Sequence, residues 1–192
     1  FANNTNAGTA SLTITGTGNF TGTKTVSFTI VKAAAPTISF NDVSKTYGDV
    51  DFNLSATSSS TGAFSYTISD ANVATVTGST TTIVGAGTTS VTVTQAADTN
   101  YNSATATMTL TVSQADIANA SITAIPDQTY TGSAITISPT VTFNGSTVTE
   151  TTDYTVSFAN NTNAGTASLT ITGTGNFTGA KTVSFTIVKA AA

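Results

Sequence analysis

The sequence predicts an all-β chain built from small sandwich modules in tandem, and three observations support this prediction. Apolar and polar residues alternate over many short segments, which is the pattern of strands with one buried face. Glycine, asparagine and aspartate residues separate these segments, and no segment shows a helical period. Long stretches of sequence also recur, so the modules are expected to be related copies.

Composition favours a folded chain and excludes some partners. Of the 192 residues, 39% are hydrophobic and only 7% are charged, against a norm of about 25%. The net charge of −4, with five basic residues that are all lysine, argues against nucleic acid as a partner. No apolar run reaches the roughly 18 residues of a membrane helix, so membrane insertion is not expected. The absence of cysteine fits either a reducing or an oxidising compartment.

The repeats are the most informative feature. Residues 1–35 recur as residues 158–192 with one change, Thr23 to Ala180, at an offset of 157 residues. A fainter repeat lies inside this long one: two stretches share an Ala-Gly-Thr start, an alternating strand, an Asn-aromatic pair and a second alternating strand. These stretches begin at Ala86 and Ala164, and their Asn-aromatic pairs are Asn100-Tyr101 and Asn176-Phe177. Nearer the start of each module, Thr46-Tyr47-Gly48 agrees more loosely with Thr129-Tyr130-Thr131-Gly132.

The repeats predict two alternating module types, each about half of the long repeat. Module one, of type one, is placed at residues 36–113, and module two, of type two, at residues 114–192. Residues 1–35, called here the N-terminal segment, are then the C-terminal half of a preceding type-two module. Because the chain begins at Phe1 with neither methionine nor a signal peptide, we expect it to be an internal stretch of a longer protein.

Half a sandwich cannot cover its own apolar face, so something else must complete the N-terminal segment. We expect a preceding half-module to do so or, through domain swapping, residues 114–157 of another copy. In either case the apolar residues of the segment should be buried in the assembled protein, as their repeat counterparts are. The segment residues are Leu12, Ile14 and Phe28, and the counterparts are Leu169, Ile171 and Phe185.

Alternation assigns the strand faces in both modules. The residues predicted to face water are Thr92, Thr107, Thr109 and Thr111. Proline cannot donate to a ladder of backbone hydrogen bonds, so we expect Pro36 and Pro139 only at sheet edges or bulges. The inward residues of module one are Phe64, Tyr66, Ile68, Val91, Val93, Met108, Leu110 and Val112. Those of module two are Val141, Phe143, Tyr154, Val156, Phe158, Leu169, Ile171, Val183, Phe185 and Ile187.

Turn chemistry and linker length complete the predicted architecture. Asn144-Gly145 predicts a type I′ hairpin, which needs positive φ at both central residues. Several short strands between such turns predict a seven-strand sandwich in each module. The junctions Val31–Thr37 and Val112–Ala118 are short and are not flexible Gly/Ser tethers, so we expect a rod-like array.

Three segments resemble known bacterial repeats. Residues 64–95, with Asn-Val-Ala-Thr-Val before Gly-Ala-Gly-Thr, resemble the bacterial immunoglobulin-like group 2 pattern, and Lys45–Asp49 (KTYGD) is similar to the start of MBG-type repeats. Module two resembles another bacterial immunoglobulin-like repeat of very long surface proteins. The resemblance implies immunoglobulin-like sandwiches in a giant adhesin at the bacterial cell surface, where such modules serve as stalks or spacers.

The residue types argue against an enzyme. Histidine and cysteine are both absent, which removes the usual general base, the thiolate nucleophile and the preferred zinc ligands. We therefore predict no catalytic residues and no cofactor except, as the less favoured alternative, low-affinity Ca²⁺ held by carboxylates. The candidate ligands are Asp42, Asp49 and Asp51, which cluster in sequence, and Asp116 in the second junction. The favoured interpretation is that they are solvated turn residues, and the same holds for Glu150 and Asp153.

Two further patterns have both a structural and a functional interpretation. Lys181 and Lys189 share the parity of the inward face, so they either extend out of the sandwich ends, which we favour, or form a crosslink to an Asn or Asp side chain. Outward threonines, such as Thr105 and Thr107, favour an ordinary twisted sheet over an ice-binding array. Contact with sugars and glycosylation of the same threonine faces stay open alternatives.

Two functions from different classes fit this sequence. A stalk needs length and uniformity, which near-identical repeats provide, and its partners would be the neighbouring repeats. A binding module would contact surface glycans or proteins weakly and gain avidity from tandem copies. It would need an exposed aromatic patch, but most aromatic residues have core parity and tryptophan is absent. We therefore favour the stalk.

Overall fold

The computed structural model of the chain describes residues 1–191, which form eighteen strands and one short 3-10 helix (Ile117–Asn119). In chain order the strands are β1 (Gly8–Thr15), β2 (Thr23–Ile30), β3 (Val43–Thr46), β4 (Phe52–Asn53), β5 (Phe64–Ile68), β6 (Ala74–Thr77), β7 (Thr80–Ile83), β8 (Gly87–Gln95), β9 (Ala104–Ser113), β10 (Ala115–Asp116), β11 (Ser121–Ile122), β12 (Gln128–Thr129), β13 (Val141–Phe143), β14 (Ser146–Thr147), β15 (Tyr154–Ala159), β16 (Gly165–Gly173), β17 (Phe177–Thr178) and β18 (Ala180–Val188).

The N-terminal segment forms an antiparallel hairpin. β1 pairs with β2 from Gly8 opposite Ile30 to Thr15 opposite Thr23, and within residues 1–191 this sheet has only these two strands. Its apolar side chains are largely open to solvent: Ile14 is 56% exposed and Phe28 is 43% exposed. Their burial in an assembled protein therefore stays a prediction, as do the module bounds.

Module one has seven strands in two sheets, as the sequence predicts. One sheet has the order β3-β9-β8-β5 and the other the order β4-β7-β6. The predicted inward residues of β8 and β9 are buried, those of β5 are half-buried, and Thr107 and Thr109 are exposed as predicted. Thr92 and Thr111 are half-buried instead. One core cluster draws on both sheets, and its buried members are Leu54, Val73, Ala74, Val91, Met108, Leu110 and Val112.

Module two repeats this arrangement with sheets β12-β18-β16-β15 and β11-β13-β14, while β10 and β17 form a separate parallel pair. Asn144 and Gly145 have φ of 49° and 81° and join β13 to β14, which confirms the type I′ turn. The predicted inward residues all belong to the core or pack against it. The all-β, immunoglobulin-like fold class is thereby confirmed.

Three local features were not predicted. Asp116 accepts a hydrogen bond from the amide of Ala118 at 2.9 Å and caps the 3-10 helix, although the sequence shows no helical period. Gln95 is buried, and its amide donates to the carbonyls of Ser60 and Gly62 at 3.0 and 2.9 Å, which ties that loop to β8. Pro36 and Pro139 lie outside the strands altogether.

Candidate functional site

The polar contacts that join one module to the next form the most developed site in the chain. The loop between β16 and β18 of module two carries the Asn-aromatic pair Asn176-Phe177 and meets the end of module one. Oδ1 of Asn176 accepts a hydrogen bond from the amide of Ala86 at 2.8 Å. The amide of Ala115, in the linker, donates to the carbonyl of Asn176 at 3.0 Å. Gln114, also in the linker, donates through Nε2 to the carbonyl of Gly175 at 2.7 Å.

Aromatic rings close the same junction. Phe177 is only 1% exposed, and the ring of Tyr47, from module one, meets it edge-on at 5.3 Å. Phe143 meets Phe177 from within module two at 5.1 Å, also edge-on. Nδ2 of Asn144 donates to the carbonyl of Gly48 at 3.0 Å. The β13–β14 turn thus contacts module one, and edge-to-face rings with a buried aromatic favour one fixed orientation.

The N-terminal segment meets module one through an equivalent set of contacts. Oδ1 of Asn100 accepts from the amide of Ala7 at 2.9 Å, and the carbonyl of Asn100 accepts from the amide of Ala33 at 2.7 Å. Nζ of Lys32 donates to the carbonyl of Asp98 at 2.6 Å. Ala33 forms a parallel bridge with Tyr101, as Ala115 does with Phe177.

The two junctions therefore share one plan, which we call the Asn clasp: an asparagine side chain binds the Ala-Gly-Thr amide of the preceding module, and its carbonyl binds the linker alanine. Sequence reasoning found the Asn-aromatic repeat but not its role. No side-chain pattern could have revealed the role, because the partner of each asparagine side chain is a backbone amide.

Asp98 organises the loop that carries the first clasp. Oδ1 accepts from the amides of Asn100 and Tyr101 at 2.8 and 2.7 Å. Oδ2 accepts from the amide of Thr61 at 2.9 Å and from the hydroxyl of Ser60 at 2.9 Å. These hydrogen bonds, the one from the Thr61 amide first, hold the pKa of the Asp98 carboxyl well below its usual range despite a smaller opposing effect of desolvation. Module two has Thr174 at the corresponding place.

The candidate calcium ligands do not come together. Among residues 1–191, no group of three or more Asp and Glu side chains could hold a metal ion. Asp42 binds the amide of Thr109 at 2.7 Å and Asp49 binds the amide of Thr46 at 2.9 Å. Asp116 caps the 3-10 helix, and Asp51 is exposed. Turn and strand amides thus engage three of the four candidates, and low-affinity calcium binding stays the less favoured alternative.

The remaining sequence candidates occupy structural positions. Asp153 accepts from the amide of Thr149 at 2.8 Å. Burial raises the pKa of Tyr154, and the nearby carboxylates of Glu150 and Asp153 raise it further. Lys181 donates to the carbonyl of Ala120 at 2.5 Å, and Lys189 is exposed.

Comparison with known proteins gives matches among solved structures but none in sequence. No protein-family model and no curated protein sequence matches the chain. The four-domain fragment of Drosophila N-cadherin is similar at 12% identity and a TM-score of 0.36, over 88% of this chain and 52% of that one. Tandem immunoglobulin domains of titin match at 9% identity and a TM-score of 0.29, over 81% of this chain and 97% of that one. A SusE-like surface-located polysaccharide-binding protein from Bacteroides thetaiotaomicron matches at 14% identity and a TM-score of 0.30, over 84% of this chain and 35% of that one.

The chain spans about half the length of the N-cadherin fragment and 57% of a protocadherin fragment that it also matches. At these similarities the fold class rests on the sheets themselves. Among the described residues, no helix is long and apolar enough to cross a membrane.

Proposed function

We propose that the chain is a structural stalk repeat of a long bacterial cell-surface adhesin, in which it holds a distal binding domain away from the cell. The observation that carries this proposal is the recurrence of the Asn clasp at both junctions. A spacer transmits position only if each module fixes the orientation of the next, and a directional hydrogen bond beside a buried ring does this better than apolar contact alone.

The resemblance of residues 64–95 and Lys45–Asp49 to bacterial immunoglobulin-like repeats supports the bacterial surface as the location. Near-identity of residues 1–35 and 158–192 supports a spacer, because a repeated element adds length without adding a new site. In this proposal the repeat is not an enzyme and its main partners are its neighbours in the array.

Distance measurements between the modules test the proposal. Spin labels at Thr107→Cys in module one and Thr155→Cys in module two occupy exposed strand positions in a chain without native cysteine. We expect one narrow distance distribution, which broadens in the Asn176→Ala variant because the clasp to Ala86 is lost. Asn119→Ala, at an exposed position that is not one of the clasp residues, is the matched control and should leave the distribution unchanged.

A broad distribution in the unsubstituted chain would contradict the stalk. Saturable binding of the unsubstituted chain to immobilised glycans would favour a weakly binding, multivalent repeat instead.

A further inference from the structure

An exposed surface at the end of module two repeats the surface that holds module one. Tyr130, Asn163, Ala164, Lys189 and Ala190 line an open depression of about 400 Å³. Tyr130 is 40% exposed, and the other four residues are exposed as well.

Four of these five residues are repeat copies of residues that bind the Asp98–Asn102 loop. Asn163, Ala164, Lys189 and Ala190 correspond, at the offset of 157, to residues 6, 7, 32 and 33. In the N-terminal segment those residues are occupied.

The occupied copy shows what this surface binds. Asn6 accepts from Nδ2 of Asn100 at 3.0 Å, in addition to the bonds that Ala7, Lys32 and Ala33 make to the loop. Nδ2 of Asn102 donates to the carbonyl of Ala33 at 3.2 Å. Ala7 is half-buried there, whereas Ala164 is exposed. The same backbone groups are therefore available at module two.

The fifth residue, Tyr130, corresponds to Tyr47 of module one. Both tyrosines follow a short strand that runs parallel to the last strand of their module. The amide of Tyr47 donates to the carbonyl of Ser113 at 2.8 Å, and that of Tyr130 donates to the carbonyl of Val188 at 2.9 Å. Because the ring of Tyr47 packs against Phe177 of the next module, the ring of Tyr130 is placed to pack against the residue that corresponds to Phe177, which is Tyr101.

We propose that this depression is a docking surface for the Asp98–Asn102 loop of another type-one module, that is, a further copy of residues 36–113. Oδ1 of the incoming Asn100 accepts from the amide of Ala164, and the carbonyl of Asn100 accepts from the amide of Ala190. Lys189 donates to the carbonyl of Asp98, and the ring of Tyr101 rests on Tyr130. The inference rests on the proposed function, since it names the neighbour that continues the stalk.

The test uses an extended chain, in which a second copy of residues 36–192 follows Ala192. The sequence of residues 189–192 then restores the linker found at residues 32–35. Since native cysteine is absent, engineered pairs report contact under mild oxidation. The reference pair is Ala7→Cys with Asn100→Cys of the first copy. We expect Ala164→Cys to crosslink with Asn100→Cys of the appended copy in a yield within about twofold of the yield of the reference pair. Ala164→Cys with Asn53→Cys of the appended copy is the matched control, with an expected yield below about a tenth of the reference.

A measurement without cysteine covers the case in which a variant misfolds. Amide exchange at Ala164 should slow roughly tenfold in the extended chain relative to the 192-residue chain, and Asn100→Ala in the appended copy should remove that protection. A crosslinked reference pair with no crosslink at Ala164, or unchanged exchange at Ala164, overturns the inference while leaving the stalk proposal intact. Crosslinking together with broad distances between modules one and two supports the docking surface and overturns the stalk.

Discussion

The two copies of the repeated sequence form the same hairpin and differ in what covers it. β1 pairs with β2 from Gly8 opposite Ile30, and β16 pairs with β18 from Gly165 opposite Ile187, so the register is the same in both copies. Yet Ile14 is 56% exposed and its counterpart Ile171 is fully buried.

This difference separates what determines strand pairing from what determines burial. Alternation and turn residues are properties of the segment itself, so they fix pairing and register in both copies. Burial depends on the rest of the sandwich, which residues 114–157 supply in module two. The sequence of the segment alone therefore decides which face is apolar, but not whether that face is covered.

The largest expected effect comes from truncating one aromatic ring in each copy. Phe185→Ala should destabilise module two by about 3–5 kcal/mol, because the ring is 4% exposed and leaves a cavity in the core. Phe28→Ala is the matched variant, and it should cost less than about 1 kcal/mol because that ring is 43% exposed. Chemical denaturation of both variants measures the difference, and equal losses would mean that the ring of Phe28 is buried in solution.

Adding the other half of a type-two module to the N-terminal segment should remove the difference in stability loss between the two variants. If residues 114–157 are fused before Phe1, we expect the hairpin to complete a type-two sandwich with Ile14 and Phe28 buried. Phe28→Ala in the fused chain should then cost about 3–5 kcal/mol, as Phe185→Ala does. Denaturation and hydrogen exchange of β1 and β2 amides report the change. Unchanged exchange in β1 would show that the segment belongs to a different kind of sandwich.

The comparison also explains what the sequence could and could not predict. Alternation found the buried faces of β8, β9, β16 and β18, because a half-buried strand must repeat every two residues. It could not find the Asn clasp, because the partner of Asn176 is the backbone amide of Ala86, which has no side-chain signature. It also missed Gln95, whose burial is tolerated only because loop carbonyls receive its amide hydrogens.

A glycine pair tests whether local backbone strain is the same in both copies. Gly8 and Gly165 have φ of 140° and 142°, and a Cβ at either position would meet no atom within 4 Å. Alanine should therefore cost about 1–2 kcal/mol in each hairpin through backbone strain alone. Hydrogen exchange of the two hairpins measures both losses in one sample. A clearly larger loss at Gly165 would show that covering the hairpin adds to the strain.

Acid should weaken module one more than module two. The pKa of Asp98 is lowered by its hydrogen bonds to the loop, so the folded state gains stability from its carboxylate above the unfolded pKa of about 3.9. That stability is lost as pH falls from about 4 through the lower folded pKa. We expect exchange protection of the Asn100 amide to fall over this range, and Asp98→Asn to remove the dependence. The corresponding loop of module two, with Thr174, is the internal control, and an equal acid response there would contradict this origin.

The single difference between the copies gives the smallest expected effect. Thr15 lies opposite Thr23 in the first hairpin, whereas Thr172 lies opposite Ala180 in the second. Ala180 is exposed, so a larger side chain meets no packing constraint from the core. Ala180→Thr restores the cross-strand threonine pair and should stabilise module two by about 0.2–1 kcal/mol, because paired β-branched residues favour the strand. The reciprocal Thr23→Ala should lower the exchange protection of the first hairpin by a similar amount. A loss of stability in Ala180→Thr would indicate that this end of β18 contacts a neighbour in solution.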